Sequence, residues 1–172
     1  MDGIVKKIKA KKPLDRLDDY FVAGFVNEFL DKNYRIKKKF LENKLKKKDF
    51  DFIVKNARND LNRIYGQFWL GKNAISFEEH KSTNERKSFF DKVYKDIFSL
   101  IKKPKRILDL GCGLNPLTYK AIPFYDKVYF IAVELTEYDC NNLREYFKDS
   151  GIKGEVIKAD VRKGNNFPAV DV

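Results

Sequence analysis

The sequence predicts an α/β protein in two parts. An all-helical basic domain spans residues 1–78, and residues 79–172 form the N-terminal half of a doubly wound parallel sheet. Three observations predict it. Apolar residues up to Ile101 recur at three- and four-residue spacing, the period of helices packed by one face. Beyond Ile101, short apolar runs alternate with helical or glycine-bearing stretches, the pattern of β-α-β units. The first of those runs, Ile107-Leu108-Asp109-Leu110, breaks into Gly111-Cys112-Gly113, where the backbone can turn sharply and approach a ligand.

Taken in order, Lys6 to Lys12 reads as a basic lead-in and Pro13 as the start of a helix ending at Asn33. Leu14, Leu17, Tyr20, Phe21, Phe25, Val26, Phe29 and Leu30 are its apolar stripe. Residues 35–48 suggest a short helix with Ile36, Phe40, Leu41 and Leu45 on one edge. Lys37, Lys38, Lys39, Lys46, Lys47 and Lys48 fan outward, a density suited to phosphate contact rather than base reading. Residues 49–71 give another helix, with Trp69 in its core. Ser82 to Glu85 matches a capping box. The helix it opens turns Phe89, Phe90, Val93, Tyr94, Ile97, Phe98 and Ile101 inward. Arg86, one turn into that helix, stands at its positive end, which calls for an anionic partner: Glu85, a ligand carboxylate or a phosphate.

After the glycine turn, Asn115 and Pro116 read as an N-cap and first helical residue. A second buried strand, Val128–Val133, ends in Glu134. A helix capped at Thr136 follows, and a third strand, residues 155–159, ends in Asp160. Residues 168–172 read as the opening of a fourth strand, in spatial order 3-2-1-4.

Composition narrows the function. Net charge is +11, and residues 1–48 carry +8 of it, so a polyanion, RNA or DNA first, is the expected partner. No run of about 18 apolar residues predicts a transmembrane helix. The N-terminus lacks an apolar signal core. Two cysteines, Cys112 and Cys140, make neither a disulfide framework nor a zinc site, so no metal is expected and the location is expected to be cytoplasmic.

Glu134 lies about 20 residues past the glycine turn, the spacing of a carboxylate that accepts from ribose hydroxyls. Asp160, one strand over, is placed to accept from an adenine amine. Together they specify an adenosine. A dinucleotide would need a third glycine where Pro116 stands. The GxG turn that remains suits S-adenosyl-L-methionine (SAM).

Asp109-Leu110-Gly111-Cys112-Gly113 resembles motif I of Rossmann-like SAM-dependent methyltransferases. More narrowly, His80-x-Ser82-Thr83-x-Glu85-Arg86, followed by Leu108 through Leu117, resembles the aminoglycoside-resistance 16S rRNA (guanine-N7) methyltransferases over residues 75–172. The resemblance implies SAM as cofactor and the small ribosomal subunit as partner, with the basic domain docking on 16S rRNA. It implies that Arg86 binds the SAM carboxylate and that His80, Ser82 and Thr83 line the methionine end. Gly111 and Gly113, beside Asp109, pass under the cofactor. Glu134 holds the ribose, and Asp160 with Val161 frames the adenine. Such a sheet has more strands than this one, so the chain is expected to be the N-terminal part of a longer protein. Alone, it is expected to bind SAM weakly and transfer no methyl group. A SAM methyltransferase for another RNA, and a non-catalytic RNA-binding module with a vestigial SAM site, are the alternatives. No catalytic base is evident, and neither the oligomeric state nor the target nucleotide is specified.

Overall fold

The fold is that of a computed structural model, which describes residues 1–69, 85, 87–101, 103–163 and 166–172. The chain divides into two compact units, Met1–Lys72 and Asn73–Val172. The boundary expected after residue 78 lies outside the described residues.

The first unit is helical. Its opening segment, read from the sequence as a basic lead-in, is instead helix α1, Asp2–Lys9. Ile4, Val5 and Ile8 bury one face against α4, Lys47–Ile64, and leave the lysines on the other. Arg58 of α4 donates from Nε to the Ile8 carbonyl at 3.3 Å and from Nη2 to the Lys7 carbonyl, satisfying the end of α1. The helix expected from Pro13 begins later. Leu14–Arg16 is a 3-10 turn, Leu17 is extended, and α2 runs Asp19–Lys32 with Val22, Val26 and Leu30 buried. Helix α3, Tyr34–Leu41, buries no residue, and Leu41 is 68% exposed rather than part of an apolar edge. Trp69 is partly buried beside Tyr65, with the Arg16 guanidinium 4.8 Å from its ring centre.

In the second unit, α5 spans Phe90–Leu100. Phe90, Tyr94 and Phe98, four residues apart, stack at 6.2 and 6.1 Å, and Phe98 meets Phe124 edge-on at 5.0 Å. This single row is what reaches the core. Phe89, Val93 and Ile97, expected inward, are exposed, because they lie off that row. Strands β1 (Arg106–Leu110), β2 (Tyr129–Glu134) and β3 (Gly154–Lys158) form a parallel sheet in the order β1-β2-β3. Residues 130–133 of β2 are all buried, as suits a central strand covered on both faces. Phe130 and Ala132 join a core with Tyr119, Cys140, Leu143 and Phe147. Gly154 is obligatory where β3 meets β2, since a Cβ there would overlap the Phe130 carbonyl. Helix α6, Glu137–Ser150, runs from the Thr136 cap to Gly151 in the left-handed conformation (φ 66°).

Two expectations are corrected. Asn115 does not cap an α-helix: residues Asn115–Ala121 form a 3-10 helix flanked by Leu114, with Pro116 kept in its first turn. Residues 168–172 form no strand. Their end nonetheless bonds to β1, Leu108 N–H to the Val172 carbonyl at 2.8 Å and Asp171 N–H to the Arg106 carbonyl at 3.2 Å. The Asp171 carboxylate accepts from Lys105 and Arg106 N–H at 2.8 and 2.9 Å, capturing a backbone donor that a regular ladder would use. Since the Lys105 carbonyl faces β2, the alternation of β1 puts this contact on its opposite edge.

Candidate functional site

The glycine turn leaves β1 with Gly111 and Gly113 both at positive φ, 65° and 54°. Cys112 N–H donates to the Val133 carbonyl at 3.0 Å, pinning the turn to the end of β2. Gly113 N–H donates to Glu134 Oε1 at 2.6 Å, and Leu135 N–H to Glu134 Oε2 at 2.9 Å. The turn and the acidic end of β2 are thus one hydrogen-bonded unit. Each carboxylate oxygen keeps capacity for a further donor. A Cβ built on Gly111 would meet no atom within 4 Å, so the space above the turn is open.

Burial raises the Glu134 pKa from 4.5 to about 7, against the two backbone N–H groups that pull it down. Asp160 has the opposite balance. Its carboxylate accepts from Arg162 Nε at 2.8 Å, Nη2 at 2.7 Å and N–H at 3.2 Å, and Arg162 holds its pKa below the ordinary value. Val161 beside it is exposed. Asp109, near the end of β1, accepts from Asn115 Nδ2 at 3.1 Å. The Ala159 N–H bond to the Glu134 carbonyl, 2.9 Å, extends the β2–β3 ladder to the strand ends. Asp109, Gly111, Gly113, Glu134, Asp160 and Val161 therefore lie at or just past the carboxyl ends of β1, β2 and β3, the edge where open α/β sheets take ligands. His80, Ser82, Thr83 and Arg86 lie outside the described residues.

The donor set fits an adenosine-bearing group. Glu134 offers a paired acceptor for vicinal hydroxyls, the turn offers approach without a Cβ, and Pro116 still stands where a dinucleotide site needs glycine. Burial raises the Cys112 thiol well above its ordinary pKa and pushes Cys140 up to about 12, so neither is a nucleophile at neutral pH.

Sequence reasoning missed three partners. Arg162 grips Asp160, and its position two residues on was the only signal. Asn115, read as a cap, is an amide donor to Asp109. The Leu135 amide supports Glu134, and no side chain advertises it.

In the first unit the lysine face is not uniform. Lys37 donates to Asp31 at 2.6 Å, and Lys39 to Asp49 at 2.9 Å. Lys38, Lys46, Lys47 and Lys48 are exposed. Among the described residues no group of three or more His, Cys, Asp or Glu could hold a metal, and no helix is long and apolar enough to cross a membrane.

A parallel sheet with a glycine turn and acidic strand ends on one edge defines an open α/β protein of the kind that takes ligands at the carboxyl ends of its strands. The chain belongs to the ribosomal RNA methyltransferase (FmrO) family, whose model matches residues 71–169. It is 36% identical over 56 residues to a 16S rRNA (guanine(1405)-N(7))-methyltransferase of Micromonospora rosea, a match covering 33% of this chain and 20% of the relative. It is 50% identical over 46 residues to the enzyme of that name from Serratia marcescens, covering 27% of this chain and 17% of the relative. The matched stretch thus spans about a fifth of the length of such relatives. The 16S rRNA methylase RmtB superposes with a TM-score of 0.71 at 21% identity, over 98% of this chain and 68% of RmtB. The 16S rRNA methyltransferase RmtF, solved in complex with S-adenosyl-L-homocysteine, superposes at 0.74 and 17% identity, over 99% and 66%. At these identities the superpositions show the fold.

Proposed function

We propose that this protein binds SAM and serves methylation of N7 of a guanine in 16S rRNA, with the small ribosomal subunit as its partner. The observation that carries the reading is the 2.6 Å bond from Gly113 N–H to Glu134, which joins the turn and the ribose acceptor into one cradle. Family membership and the names of the relatives support the reaction class, and the ligand of RmtF supports the cofactor.

The residues divide the cofactor between them. Glu134 accepts from the ribose hydroxyls, and Asp160, oriented by Arg162, accepts from the adenine amine beside Val161. Gly111 and Gly113 run beneath the thioether. Asp109, with His80, Ser82, Thr83 and Arg86, takes the amino-acid end, Arg86 on the carboxylate. When bound, SAM supplies a sulfonium methyl open to in-line attack. Guanine N7 carries an available lone pair, so the protein needs no strong base and works by positioning. Lys37, Lys38, Lys39, Lys46, Lys47 and Lys48 form the rRNA-facing surface, with the exposed four contacting phosphate.

An NMR titration of the chain with S-adenosyl-L-homocysteine, which reads weak binding, tests the cofactor. Wild type is expected to bind, and Arg86→Ala to lose about tenfold or more while keeping its RNA affinity. Wild-type affinity in the variant would remove the role of Arg86. The acceptor is read by borohydride–aniline cleavage of 16S rRNA from cells carrying the gene, which cuts at N7-methylguanine. Methylation without such a cut would move the target to another atom or another RNA.

A further inference from the structure

A run of hydrogen bonds crosses the second unit beneath the glycine turn. Tyr94 of α5 meets Thr118 Oγ1 at 2.7 Å. The buried Thr118 hydroxyl donates to the Asn115 carbonyl at 2.6 Å. That uses its only proton, so the Tyr94 phenol is the donor to Thr118. Asn115 then donates from Nδ2 to Asp109 Oδ2 at 3.1 Å. An ionised carboxylate only accepts, which fixes the amide with its NH2 toward Asp109.

The run links two parts that must agree in position. Asp109 stands near the carboxyl end of β1, immediately before the turn. Tyr94 stands on the helix that begins four residues after Arg86. The amino-acid end of SAM carries an ammonium and a carboxylate on one carbon. A site that holds it needs an acid and a base at a fixed separation. Backbone geometry fixes the Cα of Asp109, and the direction of its carboxylate is set by the groups that bond it. Asn115 holds one carboxylate oxygen of Asp109 from Nδ2, and the chain through Thr118 to Tyr94 keeps Asn115 in register with α5.

Resting on the SAM reading, we infer that Asn115 is a positioning residue for the amino-acid end of the cofactor: it orients the Asp109 carboxylate toward the ligand ammonium, and Tyr94 and Thr118 hold it in place. Asn115 itself touches no reacting atom. The inference predicts a split between two ligands that differ only at that end, S-adenosyl-L-homocysteine and 5′-methylthioadenosine, which has the adenosine and sulfur but no amino acid.

Both affinities are measured by NMR titration of the full chain. Asn115→Ala is expected to weaken S-adenosyl-L-homocysteine about tenfold and 5′-methylthioadenosine less than about twofold. Asn115→Asp, which sets two carboxylates together, is expected to weaken the first ligand further, most strongly at higher pH. Tyr94→Phe keeps the ring stack and tests the run without touching the turn; a loss of about two- to threefold, again confined to S-adenosyl-L-homocysteine, is expected. An unchanged ratio of the two affinities, or an equal fall in both, overturns the role of Asn115. Failure of the wild-type chain to bind either ligand overturns the SAM reading itself, which separates the two outcomes.

Discussion

Glu134 shows how a residue legible in the sequence acquires a property that only packing gives it. Its place at the end of a strand, about 20 residues past the turn, followed from the β-α-β pattern. Its proton affinity did not. Burial raises the pKa to about 7 from the ordinary 4.5. The folded chain therefore keeps a proton that the unfolded chain releases between those values. The stabilisation is complete below about pH 4.5 and is lost as pH rises through 7. Between pH 6 and 8 the melting temperature of wild type is expected to fall relative to Glu134→Gln, which has no proton to lose. Ligand binding runs the other way. Ribose hydroxyls donate to the ionised form, so affinity for S-adenosyl-L-homocysteine is expected to rise over the same range and to flatten in Glu134→Gln. Parallel pH profiles in the two proteins would refute both. Asn115 and Arg162 were not legible in the same way. Their roles depend on which acid each side chain meets, and nothing in residue type at those positions names the partner.

Elements were legible where one period dominated. The strand pattern located β1, β2 and β3, although only β2 is buried along most of its length: β1 buries Ile107 and leaves Leu110 half-exposed, and β3 buries Val156 alone, because both flank the central strand. Helix α6 was bounded by its own chemistry, Thr136 at one end and Gly151 at the other. Thr136 Oγ1 accepts from Asp139 N–H at 3.0 Å and donates to Asp139 Oδ2 at 2.6 Å. Thr136→Ala is expected to cost about 1 kcal/mol, read as a lower urea midpoint at unchanged slope. A change of less than a few tenths would mean that the cap adds nothing beyond the packing of α6. Helix α1 was missed because its lysines mask a short apolar stripe of Ile4, Val5 and Ile8. Exposure along α5 was misjudged because seven apolar residues offer more than one possible inner face. The stack of Phe90, Tyr94 and Phe98 chose among them.

At the scale of the molecule, charge asymmetry was readable from composition: +8 of the net +11 falls in residues 1–48. The structure adds which lysines remain available. Lys37 and Lys39 are matched by Asp31 and Asp49, whereas Lys38, Lys46, Lys47 and Lys48 are exposed. Replacing Lys38, Lys47 and Lys48 by Gln is expected to weaken rRNA binding and to reduce the slope of log affinity against log salt by about 2 to 3, measured by filter binding from about 50 to 200 mM salt. An unchanged slope would take the rRNA contact away from this face. The sequence by itself determined the order of β1, β2, α6 and β3, the glycine turn and the acids at the strand ends. Right-handed β-α-β crossovers leave little choice about which ends lie together. Tertiary structure alone decided what each acid touches: Glu134 the turn amide, Asp160 the Arg162 fork, Asp109 the Asn115 amide. The Glu134 pairing, and the proton affinity that burial gives it, arise from packing between separate segments, while the two local pairings depend on the side-chain rotamers that the fold selects; periodicity carries information on neither.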